Sequence, residues 1–300
     1  MHPKLWVLNR NYKNYYMKKY ILCAFIMTLF SCQKENTDTT ASHDNVMEFE
    51  MGIATKATAT SFEPGDMVAL YAVEYPGGAL TPELNIAGNL IDGELLQYDG
   101  TAWKSERTLY WNNSPCDFYA IYPFMDLVSI NEHHFEVALD QNQNFSSDIL
   151  WAKAQNVQQT DGPIRLEFEH LMSRCVVTIT KGDKFEGEIP DDIVTHIYNT
   201  NTSGILDFEK GSVCVNSQGL RKTINMRKLS NTKFEAIVLP QNIERRTPLI
   251  EVTMGGIAYL LEYSLSFKAG YSHTINLILN TSPDQEKIEI SIDPELGEMN

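Results

Sequence analysis

Alternation of apolar and polar residues with a period of two dominates this chain from residue 49 onward. Residues 164–169 read Ile-Arg-Leu-Glu-Phe-Glu, so a strand would place three apolar side chains on one face and three charged ones on the other. The same pattern recurs in residues 175–180, 234–239, 249–254, 257–263, 275–279 and 288–292. No segment keeps a 3.6-residue period over three turns. The sequence therefore predicts an all-β fold.

Turn sequences separate the predicted strands, and they set the expected architecture. Examples are Pro64-Gly65-Asp66, Asp99-Gly100, Gly255-Gly256 and Ala269-Gly270. Many short strands at about ten-residue spacing are typical of β-sandwiches or barrels. The length of the β region exceeds what one small sandwich needs. We therefore predict two β-sandwich domains in tandem, residues 46–186 and 187–300, divided within the polar stretch 182–192.

The charge of the chain excludes one class of function. The sequence contains 39 acidic and 24 basic side chains, for a formal net charge of −15, and five of the basic ones lie in residues 1–31, which have no acid. A polyanion repels nucleic-acid phosphates, so no nucleic-acid partner is expected. The same repulsion applies to anionic lipid headgroups, so any membrane attachment must be covalent or apolar.

The N-terminus has the features of an export signal. Met17 and two lysines precede an apolar run at residues 20–30. A transmembrane helix needs about 20 apolar residues, so this shorter run predicts a secretory signal peptide instead. We assign residues 1–31 to the signal and expect the true start at Met17, because nothing before it is needed.

The end of this signal has a second feature, which concerns lipid attachment. Residues 29–32, Leu-Phe-Ser-Cys, resemble the bacterial lipoprotein signal. The resemblance implies cleavage between Ser31 and Cys32 and acyl chains, including palmitate, on Cys32, which would anchor the protein to the outer membrane. Residues 32–45 would then be a lipidated polar tether, and Glu35 resembles a signal for display on the outer surface. The alternative is an ordinary signal peptide with a coincidental cysteine.

Three cysteines remain after such processing, and they match no metal-binding spacing: Cys116, Cys175 and Cys214. One disulfide is possible in an oxidising compartment. The other interpretation is three buried thiols. The sequence leaves both open.

A series of short motifs, in a fixed order, carries a family resemblance. They are Trp103 and residues 55–58, 62–66, 67–73, 109–111, 118–123, 140–141, 148–152, 168–173, 268–271 and 274–279. Behind a lipoprotein signal, this order resembles the fimbrillin-like family of outer-membrane lipoproteins. These are the subunits and accessory proteins of fimbriae in Gram-negative gut and oral anaerobes. The resemblance covers roughly residues 46–280.

The resemblance implies a fold and a mode of assembly. The family is built from two transthyretin-like β-sandwiches. Its members travel as lipoproteins, and a surface protease removes an N-terminal segment, which leaves an open groove. A strand from a neighbouring subunit, identical or paralogous, then fills the groove by strand addition. Adhesion to a host or bacterial surface ligand is a further possibility, and the family requires no cofactor.

Candidate residues for each part of this mechanism are present. Phe49, Met51 and Ile53 alternate as a leading strand would, and Lys56 follows as a candidate processing site, although the family usually has Arg there. An uncleaved anchor or tip protein is therefore a variant. Near the other terminus, Ile288, Ile290 and Ile292 would share one face of a donated strand. The competing interpretation makes this segment the closing strand of its own domain.

The sequence offers no catalytic constellation, so we predict that the protein is not an enzyme and binds no metal. His133-His134 is interpreted as a surface pair in a loop, and His170 as a hydrogen-bonded turn residue. Three tryptophans, Trp103, Trp111 and Trp151, are predicted to fill a core. If they shared an exposed face instead, they could stack on sugars. The alternative function is thus a monomeric glycan-binding surface lipoprotein of a nutrient-uptake system.

Overall fold

The computed structural model describes residues 45–54, 61–75, 77, 81–143, 147–159, 163–280 and 290–299. Within these ranges the regular secondary structure consists of β-strands alone, which confirms the predicted all-β class. The first nine are β1 (Phe49–Ile53), β2 (Met67–Glu74), β3 (Ile91–Tyr98), β4 (Trp103–Lys104), β5 (Cys116–Tyr122), β6 (His133–Glu136), β7 (Leu150–Val157), β8 (Ile164–His170) and β9 (Ser173–Lys181).

Twelve further strands follow in the described residues. They are β10 (Val194–Asn201), β11 (Ser203–Asp207), β12 (Ser212–Val215), β13 (Arg221–Asn225), β14 (Arg227–Ser230), β15 (Lys233–Val238), β16 (Asn242–Ile243), β17 (Pro248–Met254), β18 (Ile257–Glu262), β19 (Leu265–Ser266), β20 (Tyr271–Leu279) and β21 (Ile290–Glu298). The described part of the chain contains no helix long and apolar enough to cross a bilayer.

The largest sheet has seven strands in the order β1-β8-β7-β5-β2-β3-β4, so β1 and β4 are its edges. The pairing of β1 with β8 is parallel, and each of the other pairings is antiparallel. Strands β2 and β5 lie in the middle, and both of their faces are buried. Burial on both faces explains why residues 67–73 are almost continuously apolar rather than alternating.

The remaining strands form four smaller sheets. Their orders are β14-β15-β9-β20-β21, β13-β10-β17-β18, β12-β11-β6 and β16-β19. In the five-stranded sheet, β9 and β20 are parallel neighbours, and β21 is an edge strand antiparallel to β20. The turn between β17 and β18 is Gly255-Gly256, with φ of 56° and 75°, as a tight hairpin turn requires.

Sheet pairing crosses the division that the sequence suggested after residue 186. Strand β9 precedes that point, yet it pairs with β15 and β20, which follow it. One hydrophobic core also spans it, since the Tyr71 and Phe208 rings pack edge to face with centroids 5.2 Å apart. The change of sheet lies instead between β8 and β9. The two-domain organisation, with ranges 46–186 and 187–300, stays a prediction.

The three described cysteines are free thiols. Cys116 and Cys175 are buried, as one of the two interpretations expected, whereas Cys214 is exposed on the edge strand β12. Burial raises the pKa of the Cys116 thiol to about 12, and neighbouring Glu74 and Asp117 add to this effect. Burial alone raises the pKa of the Cys175 thiol to about 12. Both buried thiols are therefore protonated and shielded from reagents.

A thiol count tests this arrangement. We expect a thiol-specific reagent at pH 8 to modify one cysteine in native protein of residues 33–300, and three after denaturation. Cys214→Ser should remove the native signal and leave two thiols in the denatured protein. If the denatured unsubstituted protein instead contains one reactive thiol, a disulfide links its other two cysteines.

Candidate functional site

The space between the two edges of the seven-stranded sheet forms a groove. Its volume is about 820 Å³. Residues 47–53, which include β1, line it on one side, and Tyr98 and residues 101–104, which include β4, line it on the other. Ser61, Phe62 and Pro163 complete the lining. The groove therefore lies where the described sheet has no strand to join its edges.

The side chains of β1 form part of the core beneath this groove. Met47 and Phe49 are buried, and Met51 and Ile53 pack against the same core cluster while half exposed. The Phe49 ring meets the Phe118 ring edge to face, with centroids 6.1 Å apart. The structure thus places the three candidate residues of the leading strand, Phe49, Met51 and Ile53, on one strand at the sheet edge.

The hydrogen bonds of β1 show which of its backbone groups face the groove. The Ile164 N–H donates to the Glu48 carbonyl at 2.7 Å, and the Ala54 N–H donates to the Phe168 carbonyl at 2.8 Å. In a parallel ladder, alternate residues bond to the same neighbour. The even-numbered residues of this segment therefore bond to β8. The N–H and C=O groups of Phe49, Met51 and Ile53 point the opposite way, into the groove.

The segment that precedes β1 is held by main-chain bonds to a second part of the chain. The Met47 N–H donates to the Leu109 carbonyl at 2.8 Å, and the Trp111 N–H donates to the Asn45 carbonyl at 2.8 Å. A side-chain link between β1 and β8 is an exposed ion pair, in which Arg165 Nε lies 3.1 Å from Glu50 Oε2. An exposed pair contributes little. Backbone pairing and apolar burial thus hold residues 45–54 in place.

Phe62 is a member of this site that the sequence did not single out for a role. Its ring packs edge to face on three others at once, with centroid distances of 4.9 Å to Trp103, 5.6 Å to Tyr122 and 5.3 Å to Phe168. It therefore links the β4 edge to β8. Phe62 follows Lys56 in the chain, and Lys56 lies outside the described residues.

The tryptophans fill the core, as predicted. Trp103 and Trp111 are buried in the same cluster as Phe49. Trp151 is half-buried, and its indole N–H donates to the Phe208 carbonyl at 2.7 Å. The three rings share no exposed face. These three tryptophans therefore lack the shared exposed face that stacking on sugars would require.

The C-terminal candidate residues lie on the edge strand of the five-stranded sheet. Ile290 pairs with Leu279 and Ile292 with Leu277, in a register that continues to Glu298. This is the arrangement expected of a strand that closes its own sheet. Strand β21 extends through Pro294, which an edge strand tolerates because one side of it needs no N–H donor. Ile288, Ser31 and Cys32 lie outside the described residues.

The histidines and other titratable groups form no reactive constellation in the described part of the chain. The His170 Nδ1 lies 2.9 Å from Asp148 Oδ2, and its side chain is 8% exposed. His170 ends β8 rather than occupying a turn. His133-His134 belongs to strand β6 rather than to the predicted loop. Among the described residues, no group of three His, Cys, Asp or Glu side chains could hold a metal ion.

One hydroxyl beside the groove is strongly perturbed. The Tyr122 hydroxyl donates to Asp66 Oδ1 at 3.1 Å. Burial, and secondly the negative charge of Asp66, raise the pKa of Tyr122 to about 12. Tyr122 therefore stays a neutral donor throughout the physiological range. Its hydrogen bond fixes the turn at residues 63–66 against β5, and this turn leads directly from Phe62.

Comparisons with known proteins agree with this fold. The profile of the fimbrillin-like family matches residues 55–294. A protein from Bacteroides uniformis, named for a proposed role in cell adhesion, has a crystal structure that matches with a TM-score of 0.66 at 21% identity. The match covers 84% of this chain and 99% of that one. A similarly named protein from Bacteroides ovatus also matches with a TM-score of 0.66, at 13% identity, over 84% of this chain and 97% of that one. No curated protein matches. Because the family profile matches most of its length, this chain belongs to the fimbrillin-like family.

Proposed function

We propose that this protein is a structural or adhesive subunit of a cell-surface fimbrium and assembles by exchange of an edge strand. In this proposal Cys32 carries lipid that holds the precursor on the outer membrane. Cleavage after Lys56 then separates the lipidated residues 32–56 from the rest of the chain, and a strand of another fimbrial subunit occupies the groove that β1 leaves. The observation that supports this proposal is the position of β1: it is an edge strand that covers apolar core.

The energetics of β1 explain why a vacated groove would need a new occupant. Full burial of a side chain such as Phe49 or Met47 stabilises a fold by about 1.5–3 kcal/mol. Each main-chain hydrogen bond to β8 adds about 0.5–1.5 kcal/mol net. The sum of these contributions is a large part of the ~5–15 kcal/mol that stabilises a typical domain. A subunit without β1 would therefore gain strongly by binding another strand.

The composition of β8 fits such an exchange. Ile164, Leu166 and Phe168 are buried, and the loss of β1 would expose them together with N–H and C=O groups that have lost their partners. An incoming strand with alternating apolar residues would satisfy both needs. Ile288, Ile290 and Ile292 supply that alternation. Their donation would require β21 to leave β20, so the donor is either this segment or an equivalent strand of a sibling subunit.

Limited proteolysis tests the proposal. We expect a trypsin-like protease to remove about 24 residues from protein of residues 33–300, because cleavage at Lys56 separates that segment. Mass spectrometry should locate the cut, and light scattering after size exclusion should then show a ladder of oligomers. A synthetic peptide of residues 45–54, added in excess, should suppress the ladder because it refills the groove.

Two controls make the result specific. Lys56→Gln should prevent both the cut and the ladder, whereas Lys34→Gln, in the tether, should prevent neither. A cleaved protein that loses residues 33–56 and remains monomeric would contradict the proposal. If that monomer were also retarded in polysaccharide gels, the glycan-binding alternative would replace it.

A substitution within β1 gives a second prediction. Phe49→Ala removes the ring that packs on Phe118, so it should destabilise the pairing of β1 by up to about 3–5 kcal/mol. Amide hydrogen exchange of Leu166 and Phe168 should accelerate, and oligomers should form faster after cleavage. Glu48→Ala is the matched control, since its side chain is exposed on the other face. Equal exchange rates in both variants would show that β1 is not held by its apolar face.

A further inference from the structure

Basic side chains are concentrated in one short part of this acidic chain. Residues 46–170 contain 19 acidic and 5 basic side chains, whereas residues 220–246 contain 2 acidic and 7 basic ones. Five of these seven belong to β13, β14 or the first residue of β15: Arg221, Lys222, Arg227, Lys228 and Lys233. Residues 220–233 are termed the basic edge here.

The basic edge includes the last strand of each of two sheets. Strand β13 is the last strand of the four-stranded sheet, and β14 is the last strand of the five-stranded sheet. A single buried residue, Met226, separates them. Residues 139–142 contact the outer side of their junction: the Asn225 N–H donates to the Leu139 carbonyl at 2.7 Å, the Gln141 N–H donates to the Asn225 carbonyl at 3.1 Å, and the Lys228 N–H donates to Asn142 Oδ1 at 2.9 Å. The basic edge is thus one margin of the molecule, which residues 139–142 contact at the junction of the two strands while the side chains of Arg221, Lys228 and Lys233 stay exposed.

Most of its charge is directed to solvent. Arg221, Lys228 and Lys233 are exposed, and the Lys228 Nζ donates to the Asp191 carbonyl at 2.6 Å. Two other members have carboxylate partners, in the pairs Lys222–Glu136 at 3.1 Å and Arg227–Glu235 at 3.6 Å. Internal ion pairs therefore leave a net positive charge on this margin.

Two exposed leucines distinguish the basic edge from a margin that is charged only to prevent aggregation. Leu220 is 74% exposed and Leu229 is 43% exposed, and both lie among the basic residues. Lysines and arginines on an edge suffice to stop strand pairing between like edges. Exposed apolar side chains beside the charges would add buried apolar area if this surface bound another protein.

We propose that the basic edge docks onto the acidic outer face of β1 and β8 in a second copy of this chain. That face carries four exposed carboxylates, Glu48, Glu50, Glu167 and Glu169. The register aligns Glu50 with Arg165 and Gly52 with Glu167, so these side chains share one face of the sheet. Arg165 is the single basic residue of this face, and its guanidinium is already paired with Glu50.

The opposite charges of the two surfaces favour contact between the basic edge of one copy and the acidic face of another. Two basic edges repel each other, as do two acidic faces, so contacts between identical surfaces are disfavoured. The favoured contact joins two different surfaces, and such a head-to-tail contact can repeat along an open chain of subunits. The acidic face adjoins the groove, so docking would bring copies together beside it. The inference stands apart from strand exchange, because both surfaces exist in the uncleaved protein.

Charge reversal in uncleaved protein of residues 33–300 tests this inference. The edge variant combines Arg221→Glu, Lys228→Glu and Lys233→Glu, and the face variant combines Glu167→Lys and Glu169→Lys. In sedimentation velocity, we expect the unsubstituted protein to self-associate at about 20 mM NaCl and to lose about tenfold in association constant at about 200 mM. Each variant alone should be monomeric, and a mixture of the two should associate again.

Controls separate docking from general charge effects. Lys184→Glu, Lys210→Glu and Lys268→Glu together make the same charge change outside residues 220–233 and should leave association intact. The double variant Leu220→Ser, Leu229→Ser alters no charge and should weaken self-association several-fold. It tests the same surface if a charge-reversal variant does not fold. An unsubstituted protein that is monomeric at low salt, or a mixture that stays monomeric, would overturn the inference.

Discussion

Main-chain hydrogen bonds between β1 and β8 are the contact on which the proposed assembly depends. Because side chains and backbone groups both alternate along a β-strand, the odd-numbered residues of β1 direct their side chains into the core and their backbone groups into the groove. The same residues therefore cover the apolar side chains of β8 and form the open edge of the sheet. Removal of β1 would expose the core and leave backbone groups of β8 without hydrogen-bond partners. Another strand with alternating apolar residues would cover the core and pair with β8 again.

The sequence predicted individual strands but not which of them pair, for one physical reason. Residues 164–169 have one face in the core and one in solvent, so their alternation identifies β8 directly. The pairing partners are far apart in the chain: β1 pairs with β8 more than 100 residues later, and β9 with β20 almost as far away. Local patterns contain no information on such pairings, so the predicted division at residue 186 cuts through a sheet.

In the candidate site, too, local sequence patterns reveal single strands but not the contacts between distant parts of the chain. Alternation placed Phe49, Met51 and Ile53 on one face of a strand, because that placement follows from the pattern of the strand itself. The role of Phe62 depends on Trp103, Tyr122 and Phe168, which only the folded chain brings together. The basic edge was also hidden, because an overall charge of −15 masks a short positive segment. Edges and grooves are properties of the sheet rather than of any one strand.

The most direct test of exchange is a reversible cross-link between β1 and β8. Glu50→Cys and Arg165→Cys, in a Cys214→Ser background, place two thiols at registered positions on the outer face of this pair. The oxidised protein, cleaved after Lys56, should keep its N-terminal peptide and remain monomeric, and addition of a reductant should start oligomer formation. Oligomers that form equally well while the cross-link is intact would contradict the account.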